Sequence, residues 1–276
     1  RAFELKGESC DAVAARLYSG RAMAQFAMCL YSDSYSSYRR AYECYEELGD
    51  IRGMVSVVAA PIRIFGEETV CRSHSDEWLE PACGTVLKRV PEDSREHDLV
   101  QAYLSYLAFN QTGDHETAIA TLQSIIDRAV SRSDSELEMR ALVYVSQIAY
   151  YSRKYRKSSG MIHRALLLSR DLGEISAQLQ MLLYQVYNYA WMDDPRSREL
   201  RNEFRLLADK AGGSHHKYIA NVHCAQFARS SADLESAARF QRKALAAERK
   251  TDAYEWFIMA EIELGLDNMA EHVRCM

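Results

Sequence analysis

Apolar residues along the chain recur every three or four positions in stretches of several turns, and short polar segments interrupt them, which predicts a succession of amphipathic helices. In residues 135–174, Ala141, Val145, Ile148 and Ala149 form the stripe of a first helix. Ile162, Ala165, Leu166 and Ser169 form that of a second, after a short turn. Helix-ending signals recur as Glu47-Leu48-Gly49-Asp50, Ser131-Arg132-Ser133-Asp134, Asp171-Leu172-Gly173-Glu174, Lys210-Ala211-Gly212-Gly213 and Arg249-Lys250-Thr251-Asp252. Their final residues are spaced by 84, 40, 39 and 39, the first interval being two units of 42. Repetition in this range marks stacked supersecondary units, each too thin to bury its own apolar face.

The packing chemistry repeats with the period. The second helices carry Ser34, Tyr38 and Ala41; Ala118, Leu122 and Ile125; Ser158, Ile162 and Ala165; and Ala237, Gln241 and Ala244. A small residue, a bulkier knob and usually another small residue let two antiparallel helices approach to about 8–10 Å. Ser197, Leu200 and Phe204 fit only loosely, with a one-residue slip expected at Asp193-Asp194-Pro195. Ser133 with Glu136, and Asp252 with Glu255, read as capping boxes at helix starts. Pro61, Pro81 and Pro91 all fall between residues 51 and 94, and Pro61 must end or kink the helix begun near Ile51, so a local irregularity is expected there.

The roughly 40-residue period, the ELGD-like unit ends, and segments such as Gly113-Asp114-His115-Glu116-Thr117-Ala118 and Gly265-Leu266-Asp267-Asn268-Met269-Ala270 resemble tetratricopeptide repeats. More narrowly, residues 11 to 272 look like the long-repeat array of large ATP-binding LuxR-type (MalT-like) transcriptional regulators. Two departures stand out: helix-terminating prolines are mostly replaced by Gly or Asp turns, and the usual large aromatic of the first helix is irregular. The resemblance implies an all-α, right-handed superhelical solenoid of about six to seven antiparallel helix pairs. The units fall at approximately 11–50, 51–94, 95–134, 135–174, 175–213, 214–252 and a partial 253–276, in one TPR-like domain. The chain opens on Arg and enters a helical pattern within a dozen positions, and we read it as a fragment of a larger protein.

Composition agrees with a folded helical chain: 48% apolar, 26% charged, with 12 Gly and 4 Pro. A net charge of −5 removes the global positive field that nonspecific nucleic-acid binding requires, so DNA contact is expected only through a domain absent from this chain. Unbroken apolar runs such as Ala165 to Leu168 fall far short of the roughly 20 residues that cross a bilayer, and no secretory leader pattern opens the chain, so a cytoplasmic address is expected. Seven scattered cysteines without a Cys-x-x-Cys pair suit free thiols.

No phosphate-cradling, dinucleotide-binding, H-E-x-x-H or G-x-S-x-G motif occurs, and we expect no enzymatic activity and no cofactor. Cys71, His74 and Cys83 match no zinc spacing, and His216 and His223 stand seven apart rather than four, so no metal site is expected; with His215 they read as solvated or capping histidines. Arg153, Lys154, Arg156 and Lys157 flank Tyr155 where a second helix begins. Cations there oppose the helix dipole, which makes the cluster a candidate anion patch, set against the plainer reading of a solvated turn.

The first helices of such pairs line the concave surface of a solenoid. Projecting the register places Arg16, Met23, Phe26, Tyr103, Asn110, Arg140, Gln147, Tyr151, Gln226 and Arg229 on that face. This mixture of aromatic, amide and Arg groups suits a protein, a peptide or a small-molecule inducer, and self-association is a further expected mode. The resemblance thus implies a sensor and coupling region of a LuxR-type regulator. The alternative is a stand-alone scaffold for protein assembly.

Overall fold

The computed structural model describes residues 10–28, 30–60, 78–210, 214–230 and 233–247. Among them are twelve α-helices and no strand: α1 (Ala12–Ala27), α2 (Tyr31–Glu47), α3 (Ile51–Ala59), α4 (Leu79–Leu87), α5 (Arg95–Thr112), α6 (His115–Ser131), α7 (Ser135–Tyr151), α8 (Tyr155–Asp171), α9 (Ile175–Trp191), α10 (Arg196–Lys210), α11 (Ser214–Ser230) and α12 (Leu234–Ala247). The chain divides into two compact units, one running to Ser197 and the other from Arg198 onward, residues 27–29 aside.

In the first unit each helix from α2 to α9 packs on the next. In addition α3 touches α5, α5 touches α7, and α7 touches α9, so the first helices of successive pairs form a continuous layer, as a helical-repeat solenoid requires. The second helices bind that layer through the predicted stripes. Ser34, Tyr38, Ala41, Ala118, Leu122, Ile125, Ser158, Ile162 and Ala165 are all buried. The small residue does more than make room: Ser34 Oγ donates to the Ala22 carbonyl at 2.8 Å and Ser158 Oγ to the Ser146 carbonyl at 3.0 Å, tying the two helices of a pair together twelve residues apart. Helix α7 is enclosed on all sides, every residue from Leu137 to Ala149 being buried. Each large apolar side chain among them contributes about 1.5–3 kcal/mol by leaving water.

The turns explain the period. After α2, α6, α7, α8 and α9 one residue adopts a left-handed conformation: Gly49, Ser133, Arg153, Gly173 and Asp193. The amide of the following residue reaches back five positions, as in Asp50 to the Tyr45 carbonyl, Asp134 to Ala129, Lys154 to Ala149, Glu174 to Ser169 and Asp194 to Tyr189. That is a Schellman close, which satisfies the orphan carbonyls of the finished helix. In three of these five turns the same residue then caps the next helix through its side chain. The carboxylates of Asp50, Asp134 and Asp194 accept from the amides of Gly53, Leu137 and Arg196, and Asp11, Asp114 and Asp233 cap their helices likewise. Stop and start are fused into a single short turn, each cap worth about 1 kcal/mol.

This geometry corrects one local expectation. The cap before α7 is Asp134 rather than Ser133, because Ser133 occupies the left-handed position and cannot also cap. The slip near Asp193-Asp194-Pro195 lies beyond the turn. Asp193 and Asp194 stand forty residues after Arg153 and Lys154, whereas the buried Ser197 and Phe204 stand thirty-nine after Ser158 and Ala165, so α10 is rephased in its first turn. A tight bond from the Ser197 amide to the Asp194 carbonyl, 3.1 Å, takes up the residue. Helix α3 ends at Ala59, before Pro61, and with α4 it forms the shortest pair, as the prolines demand. Residues 211–213 and 248–276, the Asp252 and Glu255 cap, Cys71 and His74 lie outside the described residues.

The second unit packs α11 on α12. Phe204 is fully buried there, its ring edge-on to Phe227 at 6.2 Å and to His223 at 6.5 Å. Ala237, Gln241 and Ala244 form the buried stripe of α12, as their spacing predicts.

Candidate functional site

The layer formed by α5, α7 and α9 is lined with tyrosine. Tyr106 on α5 stacks on Tyr144 of α7, centroids 5.0 Å apart. The hydroxyls of Tyr151 on α7 and Tyr184 on α9 lie 3.3 Å apart. Tyr150 touches Tyr151, Tyr155, Tyr184 and Tyr187, with ring centroids between 5.1 and 6.2 Å. Burial raises the Tyr150 phenol above its ordinary pKa, so it stays a neutral donor and acceptor. Tyr144 and Tyr151 on α7 are repeated forty residues later by Tyr184 and Trp191 on α9, so neighbouring first helices present the same aromatic pair.

Buried polar groups lie on α7 and α9 as well. Gln147, 1% exposed, and the buried Gln185 and Asn188 have side-chain carbonyl oxygens with no hydrogen-bond partner among the described residues. The amide nitrogens of Gln185 and Asn188 are engaged, donating to Ser159 Oγ at 2.7 Å and Ser158 Oγ at 3.1 Å. Buried acceptors without a donor are costly, about 1–3 kcal/mol each, and mark places where a donor from elsewhere is favourable.

Of the residues projected onto this face from sequence, Tyr103, Asn110, Arg140, Gln147 and Tyr151 lie on α5 and α7. Tyr151 is 49% exposed and Asn110 is exposed, whereas Tyr103 packs against the core of α1 to α5. Arg140 is buried because Glu136 holds it at 2.7 Å; Glu136 also takes Arg95, which reaches Asp134 as well, joining the starts of α5 and α7. On α1, Arg16 and Met23 are exposed and Phe26 is buried. In the second unit Arg229 is exposed, and the Gln226 side chain meets His223 Nδ1 at 3.1 Å. Burial of His223 pulls its pKa down to about 4. The projection missed Tyr106, Tyr144, Tyr150, Tyr184, Tyr187 and Trp191, which make the helix-to-helix contacts of the face.

The basic cluster adjoins the same aromatics. Arg153, Lys154, Arg156 and Lys157 are all exposed, and none forms an ion pair with a described carboxylate. Tyr155, in their midst, lies parallel to the Trp191 indole, 3° between planes and 6.1 Å between centroids. Trp191 is 66% exposed, and its Nε1 donates to the Tyr150 hydroxyl at 3.4 Å.

A shallow pocket in the second unit collects Arg205, Lys217 and Lys243 around Asp209 and Cys224. Burial pushes the Cys224 thiol up to about 11 and that of Cys83 up to about 12, so neither is a nucleophile at neutral pH. Among the described residues no three His, Cys, Asp or Glu side chains converge to hold a metal ion, and no helix is long and apolar enough to cross a membrane.

Solved structures share the fold. BtubC (BKLC) from P. vanneervenii superposes with a TM-score of 0.55 at 13% identity, over 82% of this chain and 88% of that one. A signal transduction ATPase with numerous domains (STAND) carrying a tetratricopeptide repeat sensor, from Pyrococcus horikoshii, superposes with a TM-score of 0.59 at 14% identity. That match covers 94% of this chain and 37% of the STAND protein, so the chain spans a little over a third of it. No family model and no curated protein matches the sequence.

Proposed function

We propose that the chain is the ligand- and protein-binding sensor and coupling region of a LuxR-type transcriptional regulator, non-catalytic in itself and reaching DNA only through a further domain. The observation that carries this reading is the aromatic face of α5, α7 and α9, together with the buried, unpartnered carbonyls of Gln147, Gln185 and Asn188 on two of the same helices. The fold shared with a protein whose tetratricopeptide repeats are described as a sensor supports it. Rings supply area at low entropic cost, and the carbonyls select a ligand rich in donors. A ligand bridging α7 and α9 acts by differential affinity for one spacing of adjacent pairs, which shifts the population toward it. A stand-alone scaffold is the second reading, favoured by the near-complete span of BtubC.

The test is a thermal-shift screen of the 276-residue chain against sugars, amino acids, nucleotides and peptides. A true ligand raises Tm in the unaltered chain and loses its effect in Tyr151→Ala and in Gln147→Leu. Gln147→Leu alone is expected to hold or raise Tm, since it removes a buried unsatisfied group. A ligand indifferent to both substitutions overturns this site, and a full gene without a DNA-binding module overturns the regulator reading in favour of the scaffold.

A further inference from the structure

The basic cluster at the α7–α8 turn departs from the commonest helix start of this fold, joining α2, α4 and α9 in lacking a side-chain cap. Six described helices are capped by an Asp side chain, whereas Lys154 stands at that position before α8 with no side-chain cap, and the first turn of α8 holds no acidic residue. Arg153 occupies the left-handed position held by Gly49 and Gly173, and by the smaller Ser133 and Asp193, in equivalent turns. Each choice costs stability, through a missing cap, cations against the helix dipole, and a non-glycine residue at positive φ. Sites that break the local rules of a fold at a cost are where function is to be sought.

An independent observation supplies the chemistry. The exposed Trp191 indole, parallel to Tyr155, forms an apolar platform beside four cations that no described carboxylate neutralises. We propose that this surface docks a short acidic segment of a protein partner, its carboxylates meeting Arg153, Lys154, Arg156 and Lys157 and an adjacent apolar or aromatic side chain lying on Trp191. Charge complementarity selects the sign. Extent selects the class: four cations within five residues, two in the turn and two in the first turn of α8, make a short cluster that suits two or three carboxylates. A nucleic acid needs a cationic track along many phosphates, and the chain's net charge of −5 opposes it. Trp, Tyr and Arg are the residues on which protein interfaces concentrate their affinity.

The proposal takes from the preceding section only the choice of a protein partner, and its test leaves Gln147 and Tyr151 untouched, so either can fail alone. Fluorescence anisotropy of the 276-residue chain is measured with three labelled probes: a peptide of repeating Asp-Glu-Leu, one of repeating Lys-Arg-Leu, and a thymidine 12-mer. The acidic peptide is expected to bind saturably, and to bind about ten-fold or more weakly to Lys154→Asp/Arg156→Glu. That double variant restores the cap and complements the dipole, so its Tm should match or exceed that of the unaltered chain, which separates lost docking from lost folding. Trp191→Ala is expected to weaken the acidic peptide without restoring affinity for the basic one. Absence of saturable binding, acidic-peptide affinity unchanged in the double variant, or tighter binding of the thymidine oligomer overturns the proposal.

Discussion

Arg128 on α6 grips Asp98 on α5, its Nε lying 3.1 Å from both carboxylate oxygens, while Arg132 adds Nη1 at 2.7 Å and also holds the Asp93 carbonyl. Asp98 is 0% exposed, so the two guanidinium groups are what make its charge tolerable in the interior. Removing both, in Arg128→Ala/Arg132→Ala, leaves that carboxylate uncompensated and should cost about 3–5 kcal/mol. Arg128→Ala alone should cost less, because Arg132 remains. Urea denaturation at pH 7 measures both; a double-variant loss under about 1 kcal/mol contradicts this account.

Two helical glycines should respond to Ala with opposite signs. A Cβ on Gly53 would meet three ring atoms of Tyr45 at 2.2 to 2.5 Å, and that ring is part of the buried core. Overpacking of this kind costs about 1–3 kcal/mol, which outweighs the roughly 0.5–1 kcal/mol that Gly→Ala returns in a helix. Gly53→Ala is therefore expected to lower stability. Gly160 in α8 has open space around it, so Gly160→Ala should raise stability by about 0.5–1 kcal/mol. Melting curves of the two variants decide the signs directly.

His223 makes stability pH-dependent in one direction. Burial against Phe204 holds its pKa near 4 when folded, against about 6.5 when unfolded, so between these values the unfolded chain binds more protons. Its contribution is fully present above pH 6.5 and declines as pH falls toward 4, by up to about 3 kcal/mol. His223→Gln should flatten the stability profile over that window relative to the unaltered chain. Equal slopes for both would show that another group carries the acid sensitivity.

The stripes Ala141, Val145, Ile148, Ala149 and Ile162, Ala165, Leu166, Ser169 were legible in sequence because burial imposes a period that local composition cannot hide; all eight are buried. The turns were legible as punctuation but not as conformations. Ser133 and Asp134 both look like caps, and only the backbone decides that one turns left-handed while the other caps. For the aromatic face, the projected residues stand three, four or seven apart on the first helices, and none of them falls on α9. Tyr106 and Tyr144 sit three or four positions from the projected Tyr103, Arg140 and Gln147, and Tyr184, Tyr187 and Trp191 lie on a helix the projection passed over. Their signal was present, since Tyr144 and Tyr151 recur as Tyr184 and Trp191 one unit on. Arg140 and Gln147 read as surface groups because sequence does not reveal how completely α7 is enclosed.

The fused turn sets how such an array can change length. One residue both finishes a helix and begins the next, so there is no slack into which a stray residue can be inserted, and the rephased entry to α10 illustrates how a single-residue mismatch must be absorbed inside a helix. Excising or copying the stretch between Asp134 and Glu174, by contrast, joins like to like at both seams. Growth and shrinkage in whole cassettes is the mutational route this chain leaves open, and each added cassette brings its own pair of rings to the face.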